Sequence, residues 1–128
     1  MDLKTHLAID ESLSGRVTKL EEGYAEVVLN TRVCMRADEK GLIHGGFVFS
    51  AADYAAMAAV NDPNVVLGSA DVRFVAPVAR GDTVVFRASV AQNGGKKRIV
   101  SVIAVVEDRK VFEGSFTTFV LKEHIFDT

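Results

Sequence analysis

The stretch GLIHGGFVFSAADYAAMAAV, residues 41–60, decides how the rest of the chain is read. From Phe47 to Val60 no Gly or Pro interrupts it, and Ala51, Ala52, Ala55, Ala56, Ala58 and Ala59 fill much of it. Alanine has the highest intrinsic helix propensity, so residues 47–60 are expected to form one long helix. Asn61-Asp62-Pro63-Asn64 stops it, because proline disfavours helix in the residue before it.

Either side of this helix the pattern is β. Residues 13–30 read as a hairpin with strands at 16–20 and 24–29 and Glu22-Gly23 as the turn. Residues 33–37 add a short extended piece, and 38–41 a polar loop. After the helix, 65–78 is strand-like and 77–82 breaks it. Residues 83–91 form the next strand. Asn93-Gly94-Gly95 is a turn signal. Residues 99–106 are almost continuously apolar, as in a strand buried on both faces or in a curved sheet. A turn at 107–110 leads to a last strand at 111–121. The order is two or three strands, one helix, then four strands in a meander. The expected fold is α+β: one antiparallel sheet of five to six strands wrapped around an Ala-rich helix thin enough to lie inside it.

The 128 residues suit a single domain, with residues 1–12 as a flexible or helical extension. A content of 48% hydrophobic and 25% charged residues is that of a globular protein. The net charge of -2 gives no whole-chain basic character, so nucleic acid is not an expected partner. Cys34 is the sole cysteine, which excludes an internal disulfide. No apolar run reaches the roughly 20 residues of a membrane span, and residues 1–14 lack a signal-peptide core. These features predict a soluble, cytoplasmic chain.

His44-Gly45-Gly46 stands directly ahead of the helix. The first N–H groups of a helix lack internal partners and carry partial positive charge, so they bind anions or polarised carbonyl oxygens. Glycine there allows close approach of a ligand to the backbone. Asp53 follows Gly46 by seven residues, two turns along the same face. Among small apolar residues it is a candidate general base or nucleophile, and burial would raise its pKa. Each residue also has a plainer reading. The glycines suit any loop, Asp53 could be a solvated carboxylate, and Asp38 a loop carboxylate. His44 is read as orienting the loop.

Together, His44-Gly45-Gly46 and Ser50-Ala51-Ala52-Asp53 resemble the signature of hotdog-fold thioesterases of the phenylacetate-degradation (PaaI-like) type. That pattern has an Asp nine residues after the His of an HGG. The segment VRFVAPVARGD, residues 72–82, looks like the family's strand ending in Pro and a Gly-Asp turn. The resemblance covers roughly residues 37–121. It implies hydrolysis of an acyl-coenzyme A thioester, with Asp53 as the catalytic carboxylate and the Gly46 N–H, with Gly45, as the oxyanion site. It also implies sites shared between two protomers of a dimer or tetramer. Coenzyme A enters as part of the substrate, and no separate cofactor or metal is expected. One departure is that the family has Asn six residues before the HGG histidine, where this chain has Asp38. An ionised Asp accepts but cannot donate a hydrogen bond, and near Asp53 it would form a like-charge pair.

Three other readings follow. Some hotdog proteins, such as malonyl-CoA-sensing regulators of lipid synthesis, bind acyl thioesters without turnover. Hotdog hydratases use an Asp and a His in a D-x-N-P-x-H segment, from which Asp38 and His44 differ by one residue in spacing. A purely structural domain would ignore acyl-CoA altogether. For the coenzyme A phosphates the available cations are Arg73, Arg80, Lys96, Lys97 and Arg98, of which Arg80, beside the Gly81-Asp82 turn, is favoured. Phe47, Phe49, Tyr54 and Met57 are candidates to line an acyl pocket, with core packing the expected fate of at least half of them.

Overall fold

A computed structural model describes residues 1–128, apart from the side chain at position 93. A one-turn helix α1 (Glu11–Ser14) precedes the hairpin β1 (Arg16–Glu21) and β2 (Tyr24–Asn30). The long helix α2 (Gly45–Val60) follows. Then come β3 (Val65–Phe74), β4 (Thr83–Gly94), β5 (Lys97–Val106) and β6 (Arg109–Val120). All six strands form one antiparallel sheet in the order β1-β2-β4-β5-β6-β3.

The alternation of side chains puts one face of the sheet on the helix. Ala25, Val27 and Leu29 of β2, Val84, Phe86 and Ala88 of β4, and Val100, Val102 and Ala104 of β5 are fully buried. Every residue of α2 from Tyr54 to Ala59 is buried as well. Helix α2 lies against β2, β4 and β5. Small side chains let the helix axis approach the sheet closely, where larger ones would overpack the contact. The helix ends at Asn61, whose left-handed backbone (φ 53°) closes the last turn with its N–H on the Met57 carbonyl.

The structure corrects the sequence reading in several places. Helix α2 begins at Gly45, two residues earlier than expected, so the two glycines form its first turn. Residues 33–35 make a 3-10 turn rather than an extended piece, and only Arg36 bridges to Ile43. Strand β3 ends at Phe74. The four later strands are not a simple meander: β3 pairs with β6 at the far edge, and β4 instead joins β2. Local pattern carries no information on this, since the choice of neighbour is made by where the 75–82 connection runs. Strand β5 is buried on one face alone. Val100, Val102, Ala104 and Val106 point inward, while Ser101 and Ile103 are exposed.

The N-terminal residues run as a strap against the helix end. The Asn61 side chain accepts from the Lys4 N–H at 2.7 Å and donates to the Asp2 carbonyl at 2.9 Å. Thr5 is buried there, and the His6 ring stacks on Tyr54. At the other end of the strap Ser14 and Ser50 share a hydrogen bond of 2.8 Å.

Candidate functional site

The start of α2 is held by two loops that fold onto each other. His44 N–H donates to the Met35 carbonyl, Ile43 N–H to Val78 and Arg80 N–H to Gly41. The 75–82 connection thus braces the loop that delivers His44. His44 is the N-cap, in extended conformation and with no side-chain cap hydrogen bond. The Phe47 N–H donates to the His44 carbonyl at 3.1 Å, closing the first turn. The N–H groups of Gly45 and Gly46 precede that bond and are the helix's unclaimed donors.

Both glycines sit against rings. A Cβ at Gly46 would lie 3.1 Å from the His44 imidazole, and one at Gly45 would lie 3.2 Å from Phe74. Any larger residue would have to push the imidazole or the phenyl ring aside. The His44 ring also meets Phe47 edge-on, with centroids 6.2 Å apart. His44 itself is exposed and Phe47 half-buried.

Asp53 follows two turns later, about 10 Å along the helix. Its Oδ1 is buried with no hydrogen-bond partner among the described residues. Burial alone pushes its pKa up to about 6. The Asp38 carboxylate makes no contribution to that shift, so within one chain the expected like-charge pair is not formed. Asp38 is exposed, and its Oδ1 accepts the N–H groups of Lys40 and Leu42 at 3.0 and 3.2 Å. The side chain shapes the loop ahead of His44. Arg80 is also exposed, next to Gly41 on the bracing turn.

An apolar cavity of about 320 Å³ opens beside the helix start. Its walls include Leu42, Gly45, Val48, Phe74, Val75 and Pro77. Of the four residues considered for an acyl pocket, none lines this cavity, and core packing accounts for most of them. Tyr54 and Met57 are core, and Phe49 packs on Phe116. The signal overlooked was the pair Phe74-Val75, two large apolar residues where strand β3 gives out, which are 54% and 48% exposed. At about 100° per residue, Gly45 and Val48 lie a quarter-turn or more around the helix from the line joining Gly46 to Asp53. Asp53 does not line this cavity.

A family model described as the thioesterase superfamily matches residues 40–113, which include the glycine pair, Asp53 and Arg80. The chain belongs to the thioesterase superfamily. Membership supports the hotdog architecture of six strands around one long helix. Among solved structures of this fold, an uncharacterized protein from Pyrococcus horikoshii superposes with a TM-score of 0.98 at 49% identity, covering 99% of this chain and 98% of that one. A hypothetical thioesterase from Streptococcus pneumoniae, solved with coenzyme A, is similar in fold alone. Its TM-score is 0.77 at 17% identity, over 85% of this chain and 87% of that one. Two curated proteins are similar to this superfamily member over part of their length. One is named methylthioribose-1-phosphate isomerase, from Aquifex aeolicus, 54% identical over 94% of this chain and 26% of that protein. The other is the transcription factor FapR of Caldanaerobacter subterraneus, 30% identical over 64% of this chain and 41% of that protein. The chain therefore spans a quarter to under half the length of these two relatives, and each name belongs to a longer protein.

Proposed function

We propose that the chain is an acyl-coenzyme A thioesterase of the PaaI-like type that works as a dimer, with Asp53 as base or nucleophile and the Gly45-Gly46 helix terminus as the oxyanion site. The observation that carries this reading is the buried, unpartnered Oδ1 of Asp53. A polar atom buried without a partner costs free energy, and a carboxylate kept at such a cost on the line of a free helix terminus is suited to chemistry. With a pKa of about 6 it is mostly ionised at neutral pH yet a better base than a solvated Asp.

In the base mechanism, water gives its proton to Asp53 while its oxygen attacks the thioester carbonyl carbon. The carbonyl oxygen becomes an oxyanion facing the Gly46 and Gly45 N–H groups. Donors of this kind contribute about 3–4 kcal/mol each to the transition state. The C–S bond then breaks, the thiolate of coenzyme A takes up a proton, and a carboxylic acid remains. In the nucleophile mechanism the Asp53 carboxylate attacks the carbonyl carbon, the C–S bond breaks and the coenzyme A thiolate takes up a proton, and water then cleaves the acyl anhydride to the carboxylic acid and a regenerated Asp53. His44 holds the loop, Phe47 flanks the entrance and Asp38 offers its second oxygen to water. Arg80 is the cation for a coenzyme A phosphate.

The dimer enters through the edges of the sheet. Strand β3 has one partner, β6, and an open edge. A second copy pairing there would bring residues of its own to the site, as sites shared between protomers require.

A second reading is supported by the similarity to a transcription factor: an acyl-CoA-binding domain without turnover. Purified protein offered short, medium, long and aromatic acyl-CoAs, with thiol release and thermal stability measured together, separates the two. Thiol release supports the thioesterase. Stabilisation without release supports the binder, and neither response removes both.

A further inference from the structure

The Oδ1 of Asp53 has no partner although a hydroxyl stands one helical turn away. Ser50 precedes Asp53 by three residues, and side chains at that spacing are neighbours on a helix surface. A serine so placed can donate to a carboxylate. Instead the Ser50 Oγ lies 2.8 Å from the Oγ of Ser14. A hydroxyl carries a single hydrogen, so a Ser50 that donates to Ser14 has none left for Asp53.

Ser14 is held firmly at this place. It ends α1, whose N-cap Asp10 accepts the Ser12 N–H at 2.9 Å and the Ser12 hydroxyl at 2.6 Å. The Ser14 N–H donates to the Asp10 carbonyl at 3.0 Å. Gly15 then turns the chain into β1 with φ 87°. A Cβ at Gly15 would lie 2.7 Å from the Val27 Cγ1 and 2.9 Å from the Val28 carbonyl oxygen, so glycine is what lets α1 come this close. Ser14 is buried, and a buried hydroxyl requires a partner. Ser50 supplies it.

No charged group sets the proton affinity of Asp53, since burial accounts for its shift. On α1 and the N-terminal strap, Glu11 acts on Tyr54, the His6 ring stacks on Tyr54, and Asp10 is exposed. Asp38 and His44 of the loop are exposed. The sheet face under α2 adds no ionisable side chain, because Thr5, Ser14 and Thr118 are the buried polar residues among those described. A hydroxyl is therefore the group able to change the carboxylate's surroundings. A hydrogen bond donated to the ionised form favours that form and weakens the base.

We propose that Ser14 is a positioning residue for Asp53: it accepts the hydrogen of the Ser50 hydroxyl and so withholds that donor from the carboxylate one turn further along α2. The bearing of this contact on turnover rests on the proposed role of Asp53. The contact itself does not.

The test is the protonation midpoint of the Asp53 carboxyl in the full chain, followed by NMR and assigned by loss of the resonance in Asp53→Asn. Thiol release from acyl-CoAs is measured over the same pH range. Wild type is expected at about 6. Ser14→Ala, which keeps a good helix former in α1, frees the Ser50 hydroxyl to turn to Asp53. The midpoint then falls by about one pH unit. The acid limb of turnover moves with it, and the plateau drops about threefold. Ser50→Ala removes the donor and stays at the wild-type midpoint, and Ser14→Ala combined with Ser50→Ala returns to it. An unmoved midpoint in Ser14→Ala overturns the proposal. So does a double variant that keeps the lowered midpoint, which would assign the change to water entering at position 14. A midpoint that falls in Ser14→Ala and returns in the double variant, with an acid limb that does not follow, supports the Ser14 contact and removes Asp53 from the rate.

Discussion

The two halves of helix α2 are built for different ends. From Tyr54 to Ala59 every residue is buried, and four of the six are alanine. From Gly45 to Asp53 the exposure is mixed, and that half holds the two unclaimed N–H groups, the ring contacts and the unpartnered carboxylate. The second half gains free energy by packing, while the first carries polar groups that packing alone would not select. One element thus anchors the sheet at one end and presents unclaimed polar groups at the other.

The comparison predicts that substitutions in the two halves have effects of different kinds. Overpacking the second half has the largest effect. Ala56→Leu is expected to cost about 3 kcal/mol of unfolding free energy, read by urea denaturation, and to leave the KM of any folded fraction unchanged. A cost near zero would show that the sheet is looser around the helix than its burial implies. In the first half, Gly46→Ala keeps the N–H but presses on the His44 imidazole at 3.1 Å. Turnover should drop about a hundredfold with little change in melting temperature.

Asp53 links stability to pH. Its folded pKa of about 6 lies above the ordinary aspartate value of 3.8. Between these values the folded chain holds a proton that the unfolded chain has released. Stability is therefore fully present below about 3.8 and declines as pH rises through about 6. The loss is about 1–2 kcal/mol once partial exposure is allowed for. Asp53→Asn is expected to be more stable than wild type at pH 7.5 and level with it near pH 4. A constant difference across that range would mean that Asp53 titrates normally.

The smallest effect belongs to the strap at the end of the second half. Asn61→Gly keeps the left-handed backbone but removes the two hydrogen bonds to Asp2 and Lys4. It should cost about 1 kcal/mol and speed amide exchange in residues 1–5 without touching turnover.

The helix and the positions of its glycines and carboxylate were legible because all are local. Alanine propensity, the stop at Pro63 and the spacing from Gly46 to Asp53 are read within one stretch of chain. What failed depended on distant partners. Residues 99–106 look the same whether one face or two are covered, and the exposed side of Ile103 emerges only when β5 is seen beside β4 and β6. The place of β3 at the sheet edge is set by the 75–82 connection crossing to brace Gly41 and Ile43. The cavity beside Gly45 was missed for the same reason, since Phe74 and Val75 meet the helix start only in three dimensions. Residues 1–10 gave no signal that Asn61 would hold them.

The central claim is that the buried carboxylate on the helix drives thioester hydrolysis. Thiol release from a panel of acyl-CoAs by wild type and Asp53→Asn, followed from pH 5 to 8, tests it most directly. Wild-type turnover is expected to rise with pH through about 6, and the variant to fall by about a thousandfold while remaining folded and still stabilised by substrate. A variant that keeps wild-type turnover and the same pH profile would contradict the claim and leave the helix terminus alone to account for catalysis.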